Sequence, residues 1–162
     1  MNRSTVYAPN GIVAASQPLV AAAGLEVLQR GHNAFDASVT MAAVLNVVEP
    51  MMTGVGGDMF ALFWCAGEER LVGLNASGRA GSLATRQELL RRGHEKMPST
   101  GAETVTVPGA LRGWEMLLDH YGTISLDEAL QPAIEIADRG FPVSPKLTEL
   151  WWKGMENFLA ID

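Results

Sequence analysis

Residues 33–60, NAFDASVTMAAVLNVVEPMMTGVGGDMF, decide the fold because they join a nearly all-apolar helical segment to a glycine-rich turn and a strand. Asn33 is a good N-cap, and Asp36 can complete a capping box while it lies at the positive end of the helix dipole. Pro50 disfavours helical backbone angles at Glu49 and so ends the helix. Apolar side chains point in almost every direction between these ends, which predicts a helix enclosed by protein. The helix is too short and too polar to span a bilayer.

The turn at Thr53–Asp58 contains three glycines and precedes the alternating strand Met59–Trp64. Glycines so spaced permit positive φ angles and the close approach of another backbone or of a substrate. A phosphate-binding loop requires the order strand, glycines, helix. Here the order is helix, glycines, strand, which favours a tight backbone crossing beneath a sheet over nucleotide binding.

The first half of the chain predicts a strand, two helices and a hairpin. Residues 11–15 are typical of a short buried strand, and Ser16 then caps a helix that stops at Gly31. Because only a short turn separates this helix from the next, we expect the two to pack as an antiparallel pair on one face of a sheet. Residues 59–65 and 70–75 form the two strands of the hairpin.

The second half carries capping and periodicity signals for four helices and one short strand. Trp151 and Trp152 add a large apolar area that a chain of this length does not cover. The predicted elements are a helix from Thr85 to Arg92, a strand at residues 104–107, a helix after Pro108 with Ala110, Leu111, Trp114, Leu117 and Leu118 on its buried face, a helix from Ser125 to Arg139, and a last helix from Ser144 with Leu147, Leu150, Trp151, Met155 and Phe158 in the core.

Composition excludes several classes of protein. A chain of 162 residues with 48% hydrophobic and 19% charged residues is typical of one soluble globular domain. Its formal charge of −6 gives no electrostatic footprint for nucleic acid or for an anionic membrane. Cys65 is the single cysteine, and the three histidines lack a second ligand at metal-binding spacing, so neither a disulfide nor a metal site is expected. The start lacks a secretory signal, and the expected location is the cytoplasm.

Several separated blocks resemble the N-terminal part of the large subunit of the gamma-glutamyltranspeptidase family. They are EVLQRGHNAFDASVTMAAVLNVVEPMMTGVGGDMFALFW, LNASGRAG, TVPGALRGWEMLLDHYG and SLDEALQPAIEIADRGFPVSP, in this order from residue 26 onward. The resemblance implies an α+β fold, the four-layer αββα sandwich of N-terminal-nucleophile hydrolases. It also implies that residues 1–162 are the N-terminal portion of a large-subunit-like domain, without an internal boundary and only part of the sandwich.

The same resemblance implies amide acyl transfer or hydrolysis of a small-molecule amide or gamma-glutamyl substrate. No cofactor is expected, because the sequence contains no cofactor-binding motif. The nucleophile in this family is the N-terminal threonine of a small subunit, produced by autocleavage. The expected partners are therefore the remainder of the large subunit and that small subunit, and no catalytic residue is expected in this chain. An N-terminal threonine can use its own α-amine as the general base, because that amine titrates near neutral pH.

The polar segment Asn75–Gly81 follows the second strand of the hairpin and is the predicted substrate-binding site. The family carries here an arginine that binds the substrate carboxylate, but Ser77 occupies that position and the nearest guanidinium is Arg79. Two residues along a strand keep the same face and shift the group by roughly 6 to 7 Å. We therefore predict Asn75, Ser77 and Arg79 as binding residues, with an acyl group that is not strictly gamma-glutamyl. A surface or inter-strand ion pair of Arg79 is the alternative.

Two other functions are compatible with the residues alone. A non-catalytic interaction module would use the glycine-rich turn and the exposed tryptophans as interfaces. A small-molecule-binding α/β domain would hold its ligand at residues 54–57.

Overall fold

The computed structural model describes residues 4–159 as a mixture of helices and one small antiparallel sheet. The chain forms two compact units, one comprising residues up to Glu49 with Leu117–Pro142, and the other Pro50–Met116 with the residues from Val143 onward. In the part described, no helix combines the length and the apolar character needed to cross a membrane. The elements are α1 (Pro18–Gln29), α2 (Ala34–Val48), β1 (Met59–Cys65), β2 (Arg70–Ala76), α3 (Arg86–Arg91), a 3-10 turn (Ala102–Thr104), α4 (Ala110–Tyr121), α5 (Leu126–Arg139) and α6 (Pro145–Leu159).

Helix α2 is the centre of the first unit and has the ends that its sequence predicts. The Asn33 side chain accepts hydrogen bonds from the amides of Phe35 and Asp36, and the Asp36 carboxylate accepts from the Asn33 amide. Glu49 is the C-cap. Along the helix only Ala34 and Ser38 are exposed, so its apolar surface is enclosed nearly all round, as predicted.

Helix α1 packs antiparallel to α2, with its first turn near the last turn of α2. The Ser16 hydroxyl donates to Glu49 at 2.9 Å, which places these two ends together. A Cβ atom at Gly24 would lie 2.3 Å from the Met41 sulfur, so the Met41 side chain of α2 fills the space left by the glycine of α1. The predicted Ser16 cap is wrong: Gln17 is the N-cap of α1, and the Ser16 side chain is engaged by Glu49 instead.

Asp36 also connects α2 to the turn between α4 and α5 by hydrogen bonds. Its buried carboxylate accepts hydrogen bonds from the Thr123 amide (2.8 Å), the Thr123 hydroxyl (2.7 Å) and the Ile124 amide (3.3 Å). Beside it, the Asn33 amide nitrogen donates to the Tyr121 carbonyl at 2.7 Å, and the rings of Phe35 and Tyr121 stack with their centroids 5.0 Å apart. The cap of one helix thereby fixes a loop nearly ninety residues later in the chain.

The charge on Asp36 is stabilised within the fold. Burial by itself raises the pKa of Asp36, but the Thr123 hydroxyl and the three amides outweigh burial and hold the pKa below its usual value. A carboxyl whose pKa is lowered by folding stabilises the protein above its unfolded-state pKa, which is about 3.9. That contribution is lost as the pH falls from there through the lower folded-state pKa.

The two short strands predicted at residues 11–15 and 104–107 are wrong. Residues 11–15 contain no strand and are mostly exposed, and Ile12 is 63% exposed. Residues 104–107 contribute only an isolated bridge between Ala80 and Thr106. A strand needs a hydrogen-bonded neighbour, and neither segment has a continuous one among residues 4–159.

The predicted cores of the last helices are correct only in part. Trp114, Leu117 and Leu118 of α4 are buried, as is Leu147 of α6. Leu111 is 45% exposed, and Leu150 and Trp151 of α6 are also exposed, because nothing in the described residues covers them. The side chain of Phe158 lies outside the described part of the chain.

The β1–β2 hairpin presents one large apolar face to solvent. Phe60, Leu62 and Trp64 alternate along β1 and are 67%, 73% and 61% exposed. Leu71 of β2 lies opposite Trp64 and is also 61% exposed. These four residues are named here the hairpin face. A monomeric protein seldom exposes contiguous aromatic and aliphatic side chains in this way.

Asp36→Asn tests the link between the two ends of the first unit. The variant replaces an acceptor of four hydrogen bonds with an amide that has one acceptor oxygen, so we expect the free energy of unfolding to fall by about 3 kcal/mol. Urea denaturation at pH 7 measures the change, and the difference from the unsubstituted protein should narrow below about pH 4.

Asp119→Asn is the matched control, because it removes the same charge from an exposed side chain of α4. Its free energy of unfolding should change by less than about 0.5 kcal/mol. Equal losses in the two variants would contradict the role given to Asp36.

Candidate functional site

Asp58 joins three separate stretches of the second unit. Its Oδ1 oxygen accepts hydrogen bonds from the Gly78 amide and from the Thr106 hydroxyl, each at 3.0 Å. The segment after β2 and the segment before α4 are therefore both attached to the residue that ends the glycine-rich turn.

These donors keep Asp58 ionised. The Gly78 amide, followed by the Thr106 and Ser77 hydroxyls, lowers the pKa of Asp58, and partial burial opposes the change without cancelling it. No ion pair to Asp58 is formed among the described residues, so hydrogen bonds alone stabilise its charge.

The residue before Asp58 makes the second attachment. The Gly57 carbonyl accepts from the amides of Gly109 and Ala110, both at 3.0 Å, at the start of α4. The turn itself is closed by the Gly57 amide, which donates to the Gly54 carbonyl at 3.0 Å. An anion-binding loop presents amide donors to its ligand, whereas this turn presents a carbonyl and a carboxylate. The geometry therefore favours a structural crossing over a phosphate site at residues 54–57.

Glycines on the facing segments make the crossing possible. A Cβ atom at Gly78 would lie 1.5 Å from the Val107 carbonyl oxygen, and one at Gly109 would lie 2.1 Å from the Ala76 carbonyl oxygen. No side chain fits at either place, so the backbones are in direct contact. The glycines therefore serve to let two backbone segments approach closely, and Gly57 does not adopt a positive φ.

The three predicted binding residues follow one another on the exposed side of the segment that leaves β2. Asn75, Ser77 and Arg79 are exposed and alternate with half-buried Ala76 and Gly78. The Asn75 side-chain oxygen accepts from the Ser77 amide at 2.9 Å. The Arg79 carbonyl accepts from the Val107 amide at 3.0 Å. The structure thus places these residues together on one side of a segment whose backbone is fixed.

The side chain of Arg79 has no ion pair with any carboxylate among the described residues. Most other arginines of the chain, by contrast, pair with a glutamate three or four residues away or across a short loop. The inter-strand ion pair considered as the alternative role of Arg79 is therefore not formed in this part of the chain.

A cavity of about 330 Å³ lies beyond Arg79, and the sequence reasoning missed it. It is lined by residues 81–84, by Glu88, Leu89 and Arg92 of the α3 region, and by Ala102, Glu103 and Val105. Hydrogen bonds from Arg91 and then Arg92 lower the pKa of Glu88 to about 2. Arg92 also approaches Glu103 at 3.5 Å, so the charges in this cavity neutralise one another. The three predicted binding residues do not line it.

The histidines do not form a metal site in the described residues. No group of three histidine, cysteine, aspartate or glutamate side chains is placed to hold a metal ion there. His32 is instead 3.1 Å from the Thr123 hydroxyl and 3.9 Å from Glu128, and His94 is 3.8 Å from Glu103.

Comparison with known proteins identifies the family. The sequence profile of gamma-glutamyltranspeptidase matches residues 20–161, which is most of the chain. The chain belongs to the gamma-glutamyltranspeptidase family. The family predicted from the four sequence blocks is thus confirmed.

Individual gamma-glutamyltranspeptidase relatives extend the comparison. The glutathione hydrolase-like YwrD proenzyme of Bacillus subtilis is 40% identical over 145 residues, which cover 89% of this chain and 27% of the relative. The structure of cephalosporin acylase from Bacillus halodurans is 44% identical with a TM-score of 0.88, over 97% of this chain and 29% of that chain. Gamma-glutamyltranspeptidase from Helicobacter pylori is 32% identical with a TM-score of 0.87, over 96% of this chain and 45% of that chain. The chain therefore spans about a quarter of the length of the curated relative.

Gly78→Ala tests whether the crossing fixes the binding segment. The added methyl group overlaps the Val107 carbonyl, so the two segments must separate, and we expect the free energy of unfolding to fall by about 3 kcal/mol. Gly73→Ala is the matched control, because a Cβ atom there meets nothing within 4 Å. The midpoints of urea denaturation measure both, and the control should be unchanged or slightly more stable. Equal midpoints for Gly78→Ala and the unsubstituted protein would show that the contact is not a constraint.

Proposed function

We propose that this chain is the N-terminal part of an enzyme that hydrolyses or transfers the acyl group of an amide, and that Asn75, Ser77 and Arg79 form one wall of its acyl pocket. The observation that carries this proposal is the placement of Arg79. Its guanidinium is exposed and unpaired within the described residues, on a segment held by Asp58 and Val107. A guanidinium free of an internal carboxylate is suited to bind a carboxylate or a carbonyl oxygen of a ligand.

In this proposal, autocleavage of the complete protein produces a second polypeptide, and the N-terminal threonine of that polypeptide is the nucleophile. Its hydroxyl attacks the amide carbonyl, and its α-amine accepts the hydroxyl proton and returns it to the leaving amine as the C–N bond breaks. The acyl group of the resulting threonine ester then passes to water or to an acceptor amine, which releases the threonine hydroxyl. Backbone amides stabilise the oxyanion in both steps. The names of the curated relatives as proenzymes support such processing.

The complete fold in this proposal is the four-layer αββα sandwich, of which residues 1–162 supply the N-terminal portion without an internal domain boundary. The hairpin face supports it, because aromatic and aliphatic side chains that are more than 60% exposed require a covering layer. Within the described residues the sheet has two strands, so both of its edges remain open to further strands. The rest of the large subunit and the small subunit are the proposed partners.

The acyl group is proposed to be broader than gamma-glutamyl. Ser77 stands where the family's carboxylate-binding arginine is expected, and a hydroxyl supplies no charge. The cephalosporin acylase is also more similar to this chain than the Helicobacter gamma-glutamyltranspeptidase is, at 44% against 32% identity. Both points favour an acylase-like substrate over strict gamma-glutamyl specificity. A cytoplasmic location stays a prediction.

The exposed apolar side chains also favour a second candidate function, a non-catalytic interaction module. Trp152 and the hairpin face would then bind a separate protein, and the complete protein would have no amidase activity.

Arg79→Ala in the complete protein tests the acyl pocket. We expect the KM for amides with an acidic acyl chain to rise about tenfold or more, because a charge-assisted hydrogen bond to the acyl carboxylate is lost. The KM for amides with a neutral acyl chain should change less than about twofold. Steady-state kinetics with both substrates measure the effect.

Arg86→Ala is the matched control, since it removes an equal charge from an exposed arginine of α3. Both KM values should stay as in the unsubstituted protein. An unchanged KM for acidic substrates in Arg79→Ala would refute the role of Arg79, and absence of any amide turnover by the complete protein would favour the interaction module.

A further inference from the structure

We propose that Asp58 is the positioning residue for Arg79, and that its carboxylate determines whether the acyl pocket accepts an acidic acyl chain. This inference rests on the proposed function. Asp58 belongs to the glycine-rich turn and lies twenty-one residues before Arg79. No sequence motif connects it with substrate specificity.

Asp58 acts on the residues that immediately precede Arg79. Its Oδ1 oxygen accepts a hydrogen bond from the Gly78 amide at 3.0 Å. The direction in which the Arg79 side chain leaves the backbone depends on the orientation of the Gly78–Arg79 peptide. The hydrogen bond of the Gly78 amide fixes the preceding peptide, Ser77–Gly78. The Val107 amide fixes the carbonyl of Arg79.

Asp58 also contacts the segment that makes the second attachment. The Thr106 hydroxyl donates to the same Oδ1 oxygen at 3.0 Å, which fixes the residue next to Val107. The isolated bridge between Ala80 and Thr106 closes the same small region. One carboxylate oxygen therefore holds both the segment that carries Arg79 and the segment that contacts it.

Asp58 is itself held in place by its neighbour. The Gly57 carbonyl is hydrogen bonded to the amides of Gly109 and Ala110, so the backbone on the N-terminal side of Asp58 is attached to the first turn of α4. A carboxylate on a fixed backbone can transmit that position to the loop it binds. Asp58 is exposed, like Glu149 of α6. It differs from the carboxylates of α3 and α6 in its partners, because those carboxylates pair with flexible arginines and lysines on their own helices.

The negative charge matters because hydrogen bonds to an ionised acceptor are about twice as strong as neutral ones. An asparagine at position 58 keeps the volume and one acceptor oxygen, but it replaces the second oxygen with a donor. We expect the crossing to survive in Asp58→Asn while the Ser77–Arg79 segment loosens. The chemical step, which belongs to the nucleophile, should not change.

The experiment is a double-mutant cycle in the complete protein with Asp58→Asn, Arg79→Ala and both together. The two substrates are an amide whose acyl chain ends in a carboxylate and a matched amide whose chain ends in a carboxamide. We expect Asp58→Asn to raise the KM for the acidic substrate about fivefold, with kcat and the KM for the neutral substrate within about twofold of the unsubstituted enzyme. In the Arg79→Ala background the same substitution should have no further effect on the acidic substrate, because it acts through Arg79.

Thr106→Val and Thr106→Ser provide a second route if Asp58→Asn does not fold. The valine removes one donor to Asp58 at equal shape, and the KM for the acidic substrate alone should rise about two- to threefold. The serine restores the hydroxyl and should restore the KM. Asp119→Asn, which removes an exposed charge from α4, should leave both substrates unaffected.

The outcomes separate the two proposals. If Arg79→Ala leaves the KM for the acidic substrate unchanged, the proposed function of Arg79 fails, whatever Asp58→Asn does. If Arg79→Ala raises that KM but the Asp58 and Thr106 variants do not, the positioning role is wrong and the acyl pocket stands. Equal effects of Asp58→Asn on both substrates, or additive effects in the cycle, would likewise overturn the positioning role.

Discussion

Direct contact between backbone segments at the glycine-rich turn is the constraint on which the second unit depends. Gly78 and Gly109 face carbonyl oxygens at distances that exclude any side chain, so the segment after β2 and the start of α4 have only one way to lie against each other. Gly57 and Asp58 then saturate the exposed amides and hydroxyls of both segments. The carbonyl and the carboxylate thus complement the glycines, because they accept hydrogen bonds from the segments that the glycines bring together.

The first unit uses the same physical device with a different carboxylate. Asp36 begins as a helix-capping residue and then accepts three hydrogen bonds from Thr123 and Ile124, far away in the chain. In both units an aspartate at the end of a regular element binds backbone amides of a remote loop. Each aspartate has a lowered pKa for this reason, and each converts a local sequence signal into a long-range constraint.

Local signals predicted the helices well, because caps and apolar periodicity act over a few residues. The Asn33 cap, the hairpin and the helix that begins after Ser125 appear as the sequence predicts. Strands were predicted less well, since residues 11–15 are apolar in sequence but have no strand partner in the described chain. The exposure of Leu111 and Trp151 has a similar origin: periodicity indicates which face is apolar, but not what covers that face.

In the candidate site too, the local sequence predicts some features and not those that depend on distant residues. The alternation of Asn75, Ser77 and Arg79 along one side of the chain follows from the period of an extended segment. The partners of Asp58 do not, because the Thr106 hydroxyl lies forty-eight residues away and no local pattern pairs the two. The cavity between α3 and residues 102–105 was missed for the same reason, as it arises from a loop without periodicity.

The central claim is that these residues form part of a larger sandwich whose reactive hydroxyl is supplied by other polypeptide. The most direct test is to purify the protein from cells that express its whole gene and to determine the mass and N-terminal sequence of every polypeptide present. We expect a second polypeptide that begins with threonine and copurifies with this one. A single folded, monomeric 162-residue chain with no companion would contradict it.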